Sequence, residues 1–142
     1  MSDNDHHFAK SIFFSCIDDR LVDSHYTFVK QINGAFCADM AGGGLALISP
    51  EQSQAALEQI IDAYKINHID HVYIESHIDC GAYLLSGVTF IDRESEVGKL
   101  YADLETAKSA VQSALIQAGA QAGEVTVLTR VVDFNNQLLR VA

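Results

Sequence analysis

Apolar and polar residues follow two different periods along this chain, and the two periods predict both strands and helices. The run SIFFSC at residues 11–16 is too continuously apolar for a strand with one wet face, so it predicts a strand covered on both sides. Two sets of apolar residues recur instead at helical spacing. They are Leu57, Ile60, Ile61 and Tyr64, and then Leu100, Leu104, Ala107, Val111, Leu115 and Ala118.

The order of these segments predicts an α/β fold. The predicted strands span residues 11–16, 35–40, 71–76, 124–132 and 138–142. A short helix is predicted before Gly34 and a long one before Gly119, while Ser49, Pro50 and Gln52 predict a capping box at the start of the helix between them. Strands alternating with helices favour a mostly parallel sheet of four strands with helices on both faces. The fifth strand follows the fourth too closely for a crossover helix, so we expect it to be an antiparallel edge strand.

Composition and charge indicate the number of domains and exclude some classes of partner. With 142 residues and 49% hydrophobic residues, the chain predicts one domain over residues 1–142, with residues 1–10, including His6 and His7, as a flexible tail. Nine basic residues against 19 acidic ones give a net charge of −10, which disfavours nucleic acid or an anionic membrane as a partner. No apolar run approaches the ~20 residues of a membrane span, and no signal peptide is recognisable. We therefore expect a cytoplasmic protein.

Three potential metal ligands follow two predicted strands. Cys16 ends the first strand, and His77 and Cys80 come just after the third, so parallel strands would bring them to one rim of the sheet. Two thiolates and an imidazole suit Zn²⁺, and three protein ligands leave one tetrahedral position open, as in catalytic sites. The third cysteine, Cys37, lies within the second strand and is predicted to be a buried core residue.

Asp18 and Arg20 add a possible catalytic pair to these ligands. If the chain stays extended, alternate residues share a side, so both side chains would face the same space as Cys16. A carboxylate there can orient a metal-bound hydroxide, and an arginine keeps that carboxylate ionised. The other interpretation is a surface ion pair of little energetic value. His25 is predicted to be an exposed helix residue, with proton relay as the alternative.

The motifs CIDDR, AGG and HIDCG, in this order, resemble those of the β-class carbonic anhydrases, and the resemblance extends to the C-terminal RVVDFNNQLLRV. It implies zinc held by Cys16, His77 and Cys80, with Asp18 and Arg20 as the catalytic dyad. It also implies an open form, in which Asp18 pairs with Arg20, and a closed form, in which Asp18 is the fourth zinc ligand. A homodimer or higher homo-oligomer, with the active site near the interface, is implied as well.

The function predicted from this resemblance is the reversible hydration of carbon dioxide to bicarbonate and a proton, through a zinc-bound hydroxide. Such an enzyme is a carbonic anhydrase, a lyase. Two thiolates donate more charge than imidazoles do, so we expect the activity to rise under alkaline conditions.

Two alternatives stay open on the sequence. The same zinc site could hydrolyse carbonyl sulfide or carbon disulfide, since the attack is chemically similar. The chain could also be a catalytically silent, zinc-stabilised scaffold, because Asp39 and Met40 replace the arginine and asparagine usual in the family and because the chain is short.

Overall fold

Four parallel strands form the centre of the fold in the order β2-β1-β3-β4. The structure is a computed structural model that describes residues 9–141. The strands are β1 (Ser11–Ser15), β2 (Phe36–Asp39), β3 (His71–His77) and β4 (Thr126–Val132). In their register, Phe13 lies opposite Cys37 on one side and Tyr73 on the other. This arrangement confirms the predicted α/β class and its four parallel strands.

Helices connect the strands. They are α1 (Val22–Gln31), α2 (Ser53–Asn67), α3 (Gly81–Leu85) and α4 (Arg93–Gln117), with short 3₁₀ helices at Asp19–Leu21 and Gly43–Leu47. The long helix starts well before its first regular apolar residue, because Asp92 and Ser95 form a reciprocal capping box at its N-terminus. The sequence pattern predicted neither this start nor α3.

The predicted cap of the second helix is wrong. Helix α2 begins at Ser53 rather than beside Ser49, and its N-cap residue Gln52 makes no side-chain cap bond. The Ser49 hydroxyl instead donates to the Glu51 carboxylate at 2.9 Å. The backbone carbonyl of Ser49 accepts the amides of Gln52 and Ser53, at 3.2 and 2.8 Å, so a turn occupies the place of the expected helical turn.

The two faces of the sheet are packed differently. On one face, alternate strand residues such as Phe14 and Ile74 meet α4 residues such as Leu104, and all three side chains are fully buried. On the other face, Phe28 of α1 packs its ring 4.9 Å from that of Phe13. Helices therefore lie on both faces, as predicted, and the larger core lies on the α4 side.

The predicted fifth strand is not formed within residues 9–141. The C-terminal segment makes one antiparallel bridge, between Val132 and Leu138, after a turn in which Asp133 Oδ1 accepts two backbone amides. Leu139 donates its amide to Val131 at 2.8 Å, but its carbonyl accepts the Tyr101 hydroxyl instead of a strand amide. The pairing therefore stops after one bridge.

Lys10, in the N-terminal part of the chain, and Cys37 both differ from the prediction. Residues 1–8, including His6 and His7, lie outside the described residues, whereas the carbonyl of Lys10 accepts the amides of Asp70 and His71 and so joins the fold. Cys37 is exposed rather than buried, because β2 is an edge strand. Among the described helices, none has the length and apolar character needed to cross a membrane.

Candidate metal centre

Cys16, His77 and Cys80 converge at the carboxyl end of the sheet, as predicted. Cys16 directly follows β1, His77 is the last residue of β3, and Cys80 precedes α3; β1 and β3 are neighbouring parallel strands, so their ends meet. The two sulfur atoms lie 3.9 Å apart, and the three potential ligand atoms all lie within 4.8 Å of one another. All three side chains are buried.

The donor atoms of this cluster fit a bound cation. His77 Nδ1 lies 2.6 Å from the carbonyl oxygen of Ile78, which assigns the proton to Nδ1 and leaves the lone pair on Nε2. His77 Nε2 is buried and has no hydrogen-bond partner. A buried polar atom without a partner costs free energy, and a metal ion would satisfy it. Two sulfurs and one imidazole nitrogen are the donors that zinc prefers, so the cluster is able to hold a metal of this type.

The two thiols differ in acidity. The hydrogen bond with Cys80 lowers the pKa of Cys16, and the backbone N–H of Gly42, 3.4 Å from the sulfur, lowers it further. The pKa of Cys80 is raised, first by its bond to Cys16 and then by burial. Cys16 is therefore the more acidic of the two thiols, and cation binding would release the protons that the cluster still holds.

The glycine-rich segment approaches the cluster closely. Gly42 and Gly43 have φ angles of +96° and +55°, in the left-handed region that favours glycine. A Cβ atom on Gly43 would lie 2.3 Å from the carbonyl oxygen of Glu75 and 3.2 Å from the backbone nitrogen of Cys16. Only glycine fits there, so this segment fixes the backbone beside Cys16.

Asp18 lies beside the cluster but not for the predicted reason. The chain does not stay extended after Cys16; it turns into the 3₁₀ helix, and the carboxylate of Asp18 caps that helix by accepting the amide of Arg20 at 2.9 Å. Asp18 Oδ2 nevertheless lies 3.8 Å from His77 Nε2. The turn, rather than strand alternation, therefore directs this carboxylate toward the cluster.

Arg20 holds Asp18 through a two-point contact. Arg20 Nε donates to Asp18 Oδ1 at 3.0 Å, and Nη2 donates to Oδ2 at 2.7 Å. These hydrogen bonds lower the pKa of Asp18 to about 2, so its carboxyl group is ionised at neutral pH. The pairing corresponds to the open form that the family resemblance implies.

Two residues that the sequence did not single out complete the surroundings of Arg20. Asp79 accepts from Arg20 through both its side chain and its backbone carbonyl, each at 3.0 Å. The ring of Phe134 lies 4.2 Å from the Arg20 guanidinium carbon and 5.6 Å from the His77 ring. Asp79 was visible inside the HIDC motif, whereas Phe134, in the C-terminal turn, carried no signal of its own.

Cys80 also borders a cavity of about 580 Å³ whose lining is about half polar. Its apolar lining residues include Tyr83, Val88, Phe90 and Phe134, and its charged ones are Asp79, Asp92, Arg93 and Glu96. A small molecule could reach the edge of the cluster through this cavity.

His25 belongs to a separate buried cluster. Its Nε2 lies 2.8 Å from Glu75 Oε1, and Arg130 Nε lies 3.1 Å from Glu75 Oε2. The Arg130 guanidinium stacks 3.7 Å above the ring of Phe28. His25 is thus half-buried and paired, so the prediction of an exposed residue is wrong.

The unusual Asp39–Met40 pair does not place a new charge inside the cluster. Asp39 is exposed at the end of β2 and has no ion pair among residues 9–141, while Met40 is partly buried against the core. The backbone amide of Met40 donates to Ser15 at 3.0 Å, which holds the start of the glycine segment against β1.

Comparison with known proteins identifies the fold. No protein-family model and no curated protein matches the chain. A tetrameric β-carbonic anhydrase from Sordaria macrospora matches over 96% of this chain and 86% of its own, with 13% identity and a TM-score of 0.67. The chain has a β-carbonic-anhydrase fold.

Two further solved structures share this fold. The β-carbonic anhydrase CafA of Aspergillus fumigatus matches over 94% of this chain and 76% of its own, with 15% identity and a TM-score of 0.53. A carbon disulfide hydrolase matches over 94% and 78%, with 12% identity and a TM-score of 0.52. These structures confirm the resemblance at the level of the fold, and the chemistry must be argued from the residues of this chain.

Proposed function

We propose that the whole 142-residue chain is a single zinc domain that catalyses the reversible hydration of carbon dioxide. The observation that carries this proposal is the unpartnered, buried Nε2 of His77, which faces two cysteine sulfurs and lies 3.8 Å from an ionised Asp18. The proposal makes the protein a carbonic anhydrase, a lyase. Its free cysteines fit a reducing compartment, and we place it in the cytoplasm.

Cys16, His77 and Cys80 would hold the zinc ion. A zinc ion bound by three protein ligands acts as a Lewis acid and lowers the pKa of water to about 7. The bond from His77 Nδ1 to the Ile78 carbonyl fixes the ring and its tautomer, as expected for a histidine ligand.

Asp18 would orient the attacking water. Its carboxylate stays ionised because Arg20 donates two hydrogen bonds to it, so Asp18 Oδ2 can accept a hydrogen bond from water but cannot donate one. Water held in this way presents a lone pair to the carbon atom of the substrate. Arg20 positions Asp18 through these two hydrogen bonds.

The surroundings suit an uncharged substrate and a negatively charged product. Carbon dioxide is small and uncharged, and it could enter through the cavity that borders Cys80, along the apolar side chains of Tyr83, Val88 and Phe90. The net charge of the chain is −10, so electrostatic repulsion would favour the release of bicarbonate.

A second candidate substrate is carbon disulfide or carbonyl sulfide. The same cavity would admit these small, linear molecules, and a carbon disulfide hydrolase shares the fold. Cys16, His77, Cys80 and Asp18 would keep the same roles.

We also propose that the enzyme works as a homodimer or a higher homo-oligomer. Three large apolar side chains in the segment after Cys80 are exposed: Leu84 by 68%, Leu85 by 90% and Ile91 by 98%. Exposed apolar side chains in one segment of the chain could supply a contact between subunits. A solved neighbour with the same fold is tetrameric.

Stopped-flow measurement of carbon dioxide hydration from about pH 6.5 to 9, around the pKa that zinc gives to water, tests the proposal. The protein should be metal-quantified, and Asp18→Asn should be compared with Asp19→Asn, which alters the exposed neighbouring acid. We expect an activity that rises with pH, requires about one zinc per chain, and falls about 10²- to 10⁴-fold in Asp18→Asn but not in Asp19→Asn.

Each of the other outcomes would favour a different function. Bound zinc without hydration at any pH, but with turnover of carbon disulfide or carbonyl sulfide, would select the second candidate. Bound zinc without any turnover would support the silent scaffold and overturn both enzyme proposals.

A further inference from the structure

The buried face of α4 carries two acidic residues where an apolar stripe is expected. Leu100, Leu104 and Ala107 are fully buried on this face, yet Glu96 and Asp103 are each only 8% exposed. Buried carboxylates are rare unless they are paired or hydrogen-bonded. The hydrogen-bond partners of Glu96 and Asp103 therefore indicate the role of each carboxylate.

Glu96 reaches from α4 to the loop between two of the proposed ligands. Its Oε2 accepts the backbone amide of Asp79 at 2.6 Å, and Asp79 lies between His77 and Cys80. Asp79 has a φ angle of +55°, in the left-handed region that residues other than glycine adopt infrequently. The hydrogen bond from its amide to a buried carboxylate compensates for this conformation.

Asp103 holds the other side of the same loop. Its Oδ2 accepts the hydroxyl of Tyr83 at 2.7 Å, and its Oδ1 accepts Lys99 Nζ at 3.0 Å. Asp79 immediately precedes Cys80, and Tyr83 follows it within α3. Helix α4 therefore contacts the chain on both sides of one proposed ligand.

The Glu96 contact also reaches Arg20. With its backbone held, Asp79 presents both its carbonyl oxygen and Oδ2 to the Arg20 guanidinium. Arg20 in turn holds Asp18. A continuous set of hydrogen bonds thus runs from the first turn of α4 to the carboxylate beside the cluster.

We propose that Glu96 is a positioning residue, which holds the Asp79 backbone in its left-handed conformation and so sets the positions of His77 and Cys80 for metal binding. It acts through the main chain and does not contact the metal. This inference rests on the proposed metal function of the cluster, but not on which substrate is turned over.

Zinc affinity tests the proposal, measured on the full chain by competition with a chromophoric chelator. We compare Glu96→Leu, which removes the acceptor, and Glu96→Asp, which keeps the charge but is too short to reach Asp79, with Glu96→Gln, which retains an acceptor oxygen. Glu94→Gln is the matched control, because Glu94 is an exposed acid in the same helical turn.

We expect Glu96→Leu and Glu96→Asp to lose about 10-fold or more in zinc affinity, as outer-shell substitutions commonly do. Glu96→Gln should lose no more than about threefold, and Glu94→Gln should match the wild type. The absorption spectrum of the Co²⁺-loaded protein should change in Glu96→Leu and Glu96→Asp alone. Hydrogen exchange at the Asp79 amide should become faster in these two variants.

Wild-type zinc affinity in Glu96→Asp, with unchanged exchange at Asp79, would overturn the proposal even if Glu96→Leu failed to fold. An equal loss in Glu94→Gln would also overturn it, because the effect would then come from charge at the helix terminus. An absence of carbon dioxide hydration would count against the proposed function only, since these readouts do not need turnover.

Discussion

Two buried polar clusters share strand β3, and they differ in the chemical groups that surround the β3 residue of each. Glu75 and His77 are alternate residues of the strand, so both face away from the α4 side. Glu75 is surrounded by groups that can carry positive charge, His25 and Arg130. His77 faces two cysteine sulfurs and a carboxylate, and its Nε2 has no partner.

The comparison separates a polar cluster whose charged groups pair with one another from a cluster of potential metal ligands. Charges around Glu75 balance one another, so this cluster can serve the fold by joining α1, β3 and β4. His77 Nε2 and the two cysteine sulfurs can all offer electron pairs, and no described side chain donates a hydrogen bond to Nε2. A cation is the external partner that such a cluster could hold.

The largest effect should come from removing a ligand. In Cys80→Ala we expect zinc affinity to fall by about 10²- to 10³-fold, because structural sites bind zinc with roughly 10–16 kcal/mol shared among four ligands. Zinc content after dialysis against a weak chelator measures this. Cys37→Ala is the matched control, since Cys37 is exposed and lies in the edge strand. If Cys80→Ala retained one zinc per chain, as the wild type should, the cluster around His77 would not be a metal site.

Breaking the other cluster should affect stability and spare metal binding. Glu75→Leu leaves the buried Arg130 without its carboxylate, which should reduce the free energy of unfolding by about 3 kcal/mol or more. Urea denaturation measures the loss, and Glu105→Gln, an exposed acid on α4, should change it by less than about 0.5 kcal/mol. The double variant Glu75→Leu/Arg130→Met should recover part of the stability. A loss of zinc from folded Glu75→Leu would contradict the separation of the two clusters.

Gly43 lies between the clusters, so its substitution should damage both. An added Cβ would meet the Glu75 carbonyl oxygen and crowd the Cys16 amide, in a backbone conformation that alanine rarely adopts. We expect Gly43→Ala to lose about 2–3 kcal/mol of stability and to bind zinc more weakly. Gly98→Ala, at a helix position with open space around it, should be tolerated. Unchanged denaturation of Gly43→Ala would show that the segment is free to shift.

The smallest effect concerns pH. The pKa of Asp18 is about 2 in the folded chain, below the ~3.9 of an unfolded aspartate, so its ion pair adds stability above about pH 4 and loses it as pH falls toward 2. Because Arg20 is 46% exposed, screening limits the contribution to about 1 kcal/mol. In metal-free protein, the stability difference between wild type and Asp18→Asn should shrink over this interval. A difference that is constant from pH 5 to pH 2 would contradict the Asp18–Arg20 pairing.

Much of the fold and the centre of the site could be predicted from the sequence, because both depend on local patterns. Continuous apolar runs predicted the four parallel strands, and strand order then required Cys16, His77 and Cys80 to meet at one rim. The Asp18–Arg20 contact was also predicted, although a 3₁₀ turn produces it instead of an extended chain.

The remaining features depend on contacts between residues far apart in the chain. No local pattern shows that Glu75 will meet Arg130, or that Glu96 will accept the Asp79 amide. The Tyr101 hydroxyl donates a hydrogen bond to the carbonyl oxygen of Leu139, which ends the strand pairing of the C-terminal segment, although the sequence of this segment favours a strand. Local propensity could not reveal these partners, since each is brought into place by packing of the whole domain.

The positions of Cys16 and Cys80 have a consequence for the lifetime of the folded chain. They lie 64 residues apart in sequence, so an ion held by both would join two distant points of the polypeptide. Closing a loop of that length lowers the entropy of the unfolded chain by an amount equivalent to about 4 kcal/mol, by analogy with a disulfide. Metal supply in the cell would then govern how long each molecule survives against proteolysis, and the abundance of the protein would follow zinc availability.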